Sequence, residues 1–392
     1  MKYGLITFKE TENIGDDIQS YSALRFLPKV DYYIEREALD LFVPEKKEQI
    51  ITIMNGWFLH SKINFPISPY IFPIYISTHF SAYNSGGITT EYLDNTTSEM
   101  NRYGPIGCRD SGTMELLKSK GISNYFSGCM TLTIEKNPKV EKKDYICIVD
   151  IEEEAEKYLK ENLKGKETII KRTHVLDKEK NKKLSWDRRF KNVRELLDTY
   201  QAAKLVITSR LHCALPCLAL GTPVLLLYDE NKEYTKDRLV DYTKKVNHMS
   251  TEEFLTFGIS KIKSGIKNPK DHLEIRTSIE ERITTELIKV NKSKFDNNLP
   301  EVEDYKKLYV QKKEKFDRLY KTATDELKNY INLRYEKEYW KREFEVLLSK
   351  VNHTQYNEQK IELHSLLEKY EELLHENVAL NKKIQKYERR TK

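Results

Sequence analysis

From residue 3 to residue 227, short apolar runs of strand length alternate with amphipathic segments at helical spacing, and few folds accept such a chain. Residues 3–8, 50–54, 74–77 and 106–109 read as strands, residues 17–26 as a helix, and a further helix passes through Met114 to Lys118 and stops at Gly121. A second series follows, with strands at 145–149, 168–170, 205–208 and 223–227 and helices at 153–163, 193–203 and 213–220. Strands joined by helical crossovers run parallel, and parallel sheets bury both faces under those helices. Between the series, residues 135–143 turn charged and carry Pro138 among lysines, as a linker does. The expectation is an α/β fold: two Rossmann-like domains, 1–140 and 141–290, facing a cleft.

Beyond them the period changes. Tyr305, Tyr309, Phe316, Leu319, Ala323, Tyr330, Leu333, Trp340, Phe344, Leu347 and Val351 recur at spacings of three and four, broken at Lys312, Glu326 and Lys337. After a polar stretch at 352–358, a cleaner heptad runs through Leu363, Leu366, Tyr370, Leu373, Asn377, Leu380, Ile384 and Tyr387. Sustained a/d spacing with charges elsewhere is the pattern of a coiled coil, and one core Asn fixes register at some cost in stability. Residues 300–392 are therefore expected to form a helical coiled-coil tail that makes the protein a homo-oligomer; the competing reading is a solvated helix folded back on the body.

At 392 residues the chain exceeds one ordinary core. Its 67 basic and 61 acidic residues leave a net charge of +6 without a block of one sign, which does not point to nucleic acid. The first residues lack the apolar core of a signal peptide, and the most apolar stretch, 211–228, is interrupted by Pro216, Gly221 and Pro223, so no membrane span is expected. Cys108, Cys129, Cys147, Cys213 and Cys217 include no Cys-x-x-Cys pair and read as buried thiols of a reducing compartment. The expected location is the cytoplasm, where the protein could work at the inner membrane face. A dinucleotide fingerprint, a phosphate-cradling Gly-Lys-Ser/Thr loop and a His-Glu-x-x-His set are all missing, so neither a bound cofactor nor a metal is expected.

The segment 205–216 carries most chemistry. A buried strand delivers Ser209, Arg210 and His212 to its C-terminal end, where open α/β sheets bind ligands, and the next helix aims its N-terminal N–H groups at the same point. Arginine and histidine there form an anion site with an acid–base group beside it. The competing reading pairs Arg210 with a carboxylate and buries His212 in the core.

Ser209-Arg210-Leu211-His212 and the following Cys-Ala-Leu-Pro-Cys-Leu-Ala-Leu-Gly-Thr-Pro-Val resemble the C-terminal signature of the polysaccharide pyruvyl transferase family. Residues 13–19 (Asn-Ile-Gly-Asp-Asp-Ile-Gln) resemble its N-terminal Gly-containing loop, 105–110 (Pro-Ile-Gly-Cys-Arg-Asp) its Arg-Asp/Glu motif, and 125–133 the segment that closes the first domain. These fall in order across roughly residues 3–230, leaving the tail outside the resemblance. The resemblance implies a GT-B-like fold and transfer of pyruvate from phosphoenolpyruvate, as a co-substrate, to a saccharide or lipid-linked oligosaccharide of a cell-surface polysaccharide, as a ketal with release of phosphate.

A donor bearing a phosphate and a carboxylate asks for two cationic forks. The match to Arg-Leu-His makes Arg210 the first, with Leu211 as backbone contact and Ser209 beside it, and Arg109 the candidate second, whose alternative is an ion pair with Asp110. His212 would act as acid or as phosphate-stabilising donor, and Arg210 and His212 together form the expected catalytic pair. Asn13, Gly15 and Asp16 are expected on the acceptor side, with Gly15 serving only the turn, or Asp16 only a helix cap, as alternatives. Asn55 and Trp57 sit at a strand end, where an indole could stack on a sugar or simply fill the core. His174, Arg172 and Arg189 are placed at the cleft by the same strand-end logic. Two other readings remain open: a GT-B glycosyltransferase gripping a nucleotide sugar, and a scaffold with a degenerate transferase body.

Overall fold

In the computed structural model of the 392-residue chain, residues 1–59, 65–81, 88–228, 241–243, 245–292, 299–305 and 307 are described. The chain divides into two compact units, Met1–Val302 and Glu303–Lys392. The heptad series expected at 363–387, and almost all of the 300–392 tail, lie outside the described residues.

Two parallel sheets build the first unit. One contains β1 (Lys2–Thr7), β2 (Tyr32–Glu35), β3 (Ile50–Trp57), β4 (Ile71–His79), β5 (Ile106–Cys108) and β6 (Asn124–Phe126), in the order β2-β1-β3-β4-β5-β6. The other contains β7 (Ile146–Val149), β8 (Ile169–Arg172), β9 (Leu205–Thr208), β10 (Val224–Leu227) and β11 (Asn247–Met249), in the order β11-β10-β9-β7-β8. Taken from its own first strand, each sheet begins 2-1-3-4-5. The crossover direction therefore reverses between β1 and β3 in one sheet and between β7 and β9 in the other. Such switch points leave an open crevice at the carboxyl ends of the strands.

The helices are α1 (Ile14–Leu24), α2 (Ile88–Tyr103), α3 (Ser111–Ser119), α4 (Glu153–Leu163), α5 (Lys178–Asn181), α6 (Trp186–Ala202), α7 (Leu211–Ala219), α8 (Thr251–Lys263) and α9 (His272–Lys292). Alternate strand residues face opposite layers. Ile6, Ile50, Met54 and Ile106 pack with Leu93 and Met100 of α2 and Leu116 and Leu117 of α3. Leu5, Ile51, Ile53 and Ile76 pack instead with Ala23 of α1 and Ile279 and Ile283 of α9. The chain thus leaves the second sheet and returns to cover the first. In the second sheet, Cys147, Val149, Val206 and Leu226 face α6 and α7, while Ile148, Ile207 and Leu225 face Leu159 of α4 and Phe254 of α8.

Helix α1 belongs to both halves. Its C-terminal Ala23 lies under the first sheet, whereas Ile14 and Ile18 join the core of the second. Asp17 and Arg189 of α6 form a buried bidentate pair across the same boundary, at 2.5 and 3.0 Å. The expected linker at 135–143 has no regular structure but is tied down, with the Asn137 N–H donating to Gln201 and its side-chain amide to Asp198.

Candidate active site

Both switch points carry polar side chains. At the first, α1 starts three residues earlier than the sequence suggests, because Asn13 caps it: its Oδ1 accepts from the Gly15 N–H at 2.9 Å. Asp16 is therefore not the cap. It accepts from the Thr11 hydroxyl at 2.6 Å and from Gln19 Nε2 at 3.1 Å, bracing the loop from both sides. Gly15 is needed for close approach, since a Cβ there would lie 3.2 Å from His212 Cβ and 3.3 Å from its Nδ1. The N-terminus of α1 thus rests directly on the first turn of α7.

Strands β3, β4 and β5 contribute Asn55 and Trp57, His79, and Arg109 with Asp110 along the same edge of the sheet. Asn55 is buried, with its Nδ2 donating to the Gln19 carbonyl at 2.9 Å, and its Oδ1 has no hydrogen-bond partner among the described residues. Trp57 is half-buried and meets the His79 ring edge-on at 5.2 Å. Arg109 is only 1% exposed. One guanidinium nitrogen donates to Gln19 Oε1 at 3.4 Å, Nε lies 3.4 Å from Asp110 Oδ2, and Nη2 has no hydrogen-bond partner among the described residues. The sequence's alternative for Arg109, pairing with Asp110, is present in this loose form.

Asp110 caps α3 through Thr113 and accepts from His79 Nδ1 at 2.7 Å. Burial opposes its charge, but His79, Arg109 and Thr113 overcome that and bring its pKa down to about 2. The second half closes over this edge: the Tyr242 hydroxyl donates to the Arg109 carbonyl at 2.7 Å, and Asp241 accepts from the N–H and hydroxyl of Ser111.

At the second switch point, Asp150 follows β7 with a left-handed φ of 48°, uncommon for a non-glycine residue. That turn aims its carboxylate at Arg210 Nε, 2.9 Å away, and at the His174 N–H, 2.9 Å away. Burial raises the Asp150 pKa, yet bonds from Thr173, His174 and Arg210 hold it below the usual value. Arg210 therefore does pair with a carboxylate, as its alternative reading held, but through Nε alone, and its side chain stays 40% exposed. Ser209 Oγ donates to the Asp150 carbonyl and fixes the same corner. Arg210 is also the N-cap residue of α7, with no side-chain cap bond, and Leu211 and His212 begin the helix, both largely buried.

The two switch points thus bring Asn13, Gly15, Asp16, Asn55 and Arg109 around α1, with His212 seated on its first turn beside Arg210. His174 meets the same corner through its backbone, whose N–H donates to Asp150. It is 1% exposed, its Nε2 is engaged by the Tyr200 hydroxyl at 2.9 Å, and its carbonyl accepts from the Ile14 N–H. Arg189 is consumed by Asp17 and by the carbonyls of Phe8 and Lys9, while Arg172 is exposed and bonds its neighbour's carbonyl. Burial fixes the side-chain partners of His174 and Arg189, whereas Arg172 ends the edge strand β8 and is exposed. Gln19, His79, Asp150 and Tyr242 were not singled out from sequence; Asp150 directly follows a strand end and was findable by the rule that selected Ser209.

Among the described residues no group of three or more His, Cys, Asp or Glu side chains could hold a metal, and no helix is long and apolar enough to cross a membrane.

The sequence profile of one protein family, described as polysaccharide pyruvyl transferase, matches residues 13–231, more than half of the chain. Solved structures similar to it include an uncharacterised protein of Klebsiella pneumoniae subsp. pneumoniae (14% identity, 64% of this chain and 93% of that one, TM-score 0.40). A UDP-GlcNAc 2-epimerase from Methanocaldococcus jannaschii shares 13% identity over 73% of this chain and all of that one, with a TM-score of 0.42. The heptosyltransferase WaaC of E. coli, solved with ADP, shares 11% over 59% and 88%, with a TM-score of 0.28. No curated protein matches the chain.

Proposed function

The chain belongs to the polysaccharide pyruvyl transferase family and is a transferase; from that premise we propose that it moves pyruvate from phosphoenolpyruvate onto a saccharide as a ketal. The observation that carries the reading is a contrast between two arginines, each 1% exposed. Arg189 spends its guanidinium on one carboxylate and two carbonyls, whereas Arg109 keeps Nη2 without a hydrogen bond among the described residues. A buried cation left short of partners is costly, and an anionic ligand is the natural completion.

Phosphoenolpyruvate offers two anionic groups to the two switch points. Arg210, pre-oriented by Asp150 and lying at the N-terminus of α7, supplies one grip, and Arg109 supplies the other. Leu211 and Ser209 complete the donor side. Two acceptor hydroxyls form bonds to the donor's C2, C3 gains a proton, and the C2–O bond to phosphate breaks. One hydroxyl proton balances the new methyl group and the other leaves with phosphate, so the reaction as written asks for no redox cofactor. On this reading His212 delivers the C3 proton or donates to the departing phosphate. Asn13, Gly15, Asp16, Asn55 and Trp57 line the acceptor side at the first switch point, in a GT-B-like arrangement. The heptads at 363–387 assemble the chain as a homo-oligomer.

Phosphate release and pyruvylation over a panel of saccharides, with Arg210→Ala as control, test the reading. The native chain should form product, and Arg210→Ala should lose it by about a hundredfold or more in kcat/KM. Binding of phosphoenolpyruvate without turnover would mean an acceptor missing from the panel. Absence of binding, with activity on a nucleotide sugar instead, would replace this reading by a glycosyltransferase one.

A further inference from the structure

Gln19 lies one helical turn after Gly15 on α1 and is 3% exposed. Its Oε1 accepts from Arg109 Nη1 at 3.4 Å, its Nε2 donates to Asp16 Oδ1 at 3.1 Å, and its carbonyl accepts from Asn55 Nδ2 at 2.9 Å. The amide has one sensible orientation: flipped, it would set an NH2 against a guanidinium and an oxygen against a carboxylate. One side chain therefore links the buried arginine to the loop of Asn13, Gly15 and Asp16.

The charge of that link matters. A carboxylate at this place would pair with Arg109 and occupy the fork that an incoming anion needs. An apolar side chain would release Nη1 and the Asp16 brace together. A neutral amide holds the guanidinium by one corner and leaves its charge unspent. We propose that Gln19 is a positioning residue, which presents Arg109 to the anionic donor and ties it to the acceptor loop. The proposal rests on the reading of Arg109 as a donor-binding residue.

The test is steady-state kinetics of the full chain with phosphoenolpyruvate as the varied substrate, alongside thermal unfolding. Gln19→Met keeps length and removes both amide bonds; it should raise the donor KM about tenfold, with kcat changed less than about threefold and the melting temperature within a few degrees. Gln19→Glu keeps an acceptor for Arg109 but loses the donor to Asp16 and adds the competing charge, and should raise the donor KM further than Met does. A donor KM within about twofold of native in both variants would overturn the proposal, as would falls in kcat and melting temperature with KM unchanged. Failure of the native chain to bind phosphoenolpyruvate would overturn the donor reading and this role with it. That outcome is distinguishable because it precedes any substitution.

Discussion

Asp110 accepts from Thr113 through both N–H and hydroxyl, accepts from His79, and lies 3.4 Å from Arg109. Its folded pKa of about 2 lies below the ordinary carboxyl value of 3.8, so the folded state holds the charged form more tightly. The stabilisation is complete above about pH 4 and disappears as pH falls toward 2, amounting to about 2 kcal/mol. Asp110→Asn keeps a capping side chain and removes the charge. Urea unfolding from pH 5 down to 3 should show the native chain losing more stability than the variant; parallel losses would refute the assignment. Sequence alone singled out Arg109 with Asp110 as a possible partner, and Arg210, but not the Asp150 that holds Arg210. The Asp150–Arg210 pair spans 60 residues and exists because β7 and β9 are neighbours in the sheet. Pairing of that kind is set by topology, which a single sequence does not print.

At the scale of elements, the abutting N-termini of α1 and α7 make a sharper test. Gly15→Ala exchanges a poor helix residue for a good one, and a helix interior alone would gain up to about 1 kcal/mol. Here the added methyl lands 3.0 Å from Asn13 Oδ1 and 3.2 Å from His212 Cβ, so the helix gain is offset and His212 is displaced. We expect kcat to fall about tenfold with little change in melting temperature, and unaltered kcat would show that the contact does not set His212. The alternation of period two and period 3.6 made most elements legible, including α4 and β9 at their observed limits. It missed β2, β6, β11, α2, the four-residue α5, α8 and α9. Three of these are short edge strands, with too few residues to establish a period. α2 is rich in threonine, asparagine and acidic residues and offers little apolar pattern, while α8 and α9 lie beyond β10, where the three-residue β11 is too short to continue a readable alternation.

For the whole molecule, the unit Met1–Val302 holds all four apolar clusters, including the return of α9 onto the first sheet. A chain ending at Val302 should therefore fold and keep the arrangement around Arg109 and Arg210. If the heptads make the oligomer, sedimentation should find the full chain oligomeric and the shortened chain monomeric; a shortened chain that stays oligomeric would remove the tail from that role. A cut before α9 is a different matter, because it strips Ile279 and Ile283 from Leu5, Ile51 and Ile76.

The repeated strand order has a final consequence. Arg109 follows β5 of the first sheet and Arg210 follows β9 of the second, and on the proposed reading neither alone presents two cations to a two-headed anion. A donor site built on both would behave as a conjunction, present when both halves are seated and absent when either is displaced. Activity would then serve as a gauge of the seam between them, reporting damage to Asp17 or Arg189 that never touches a substrate.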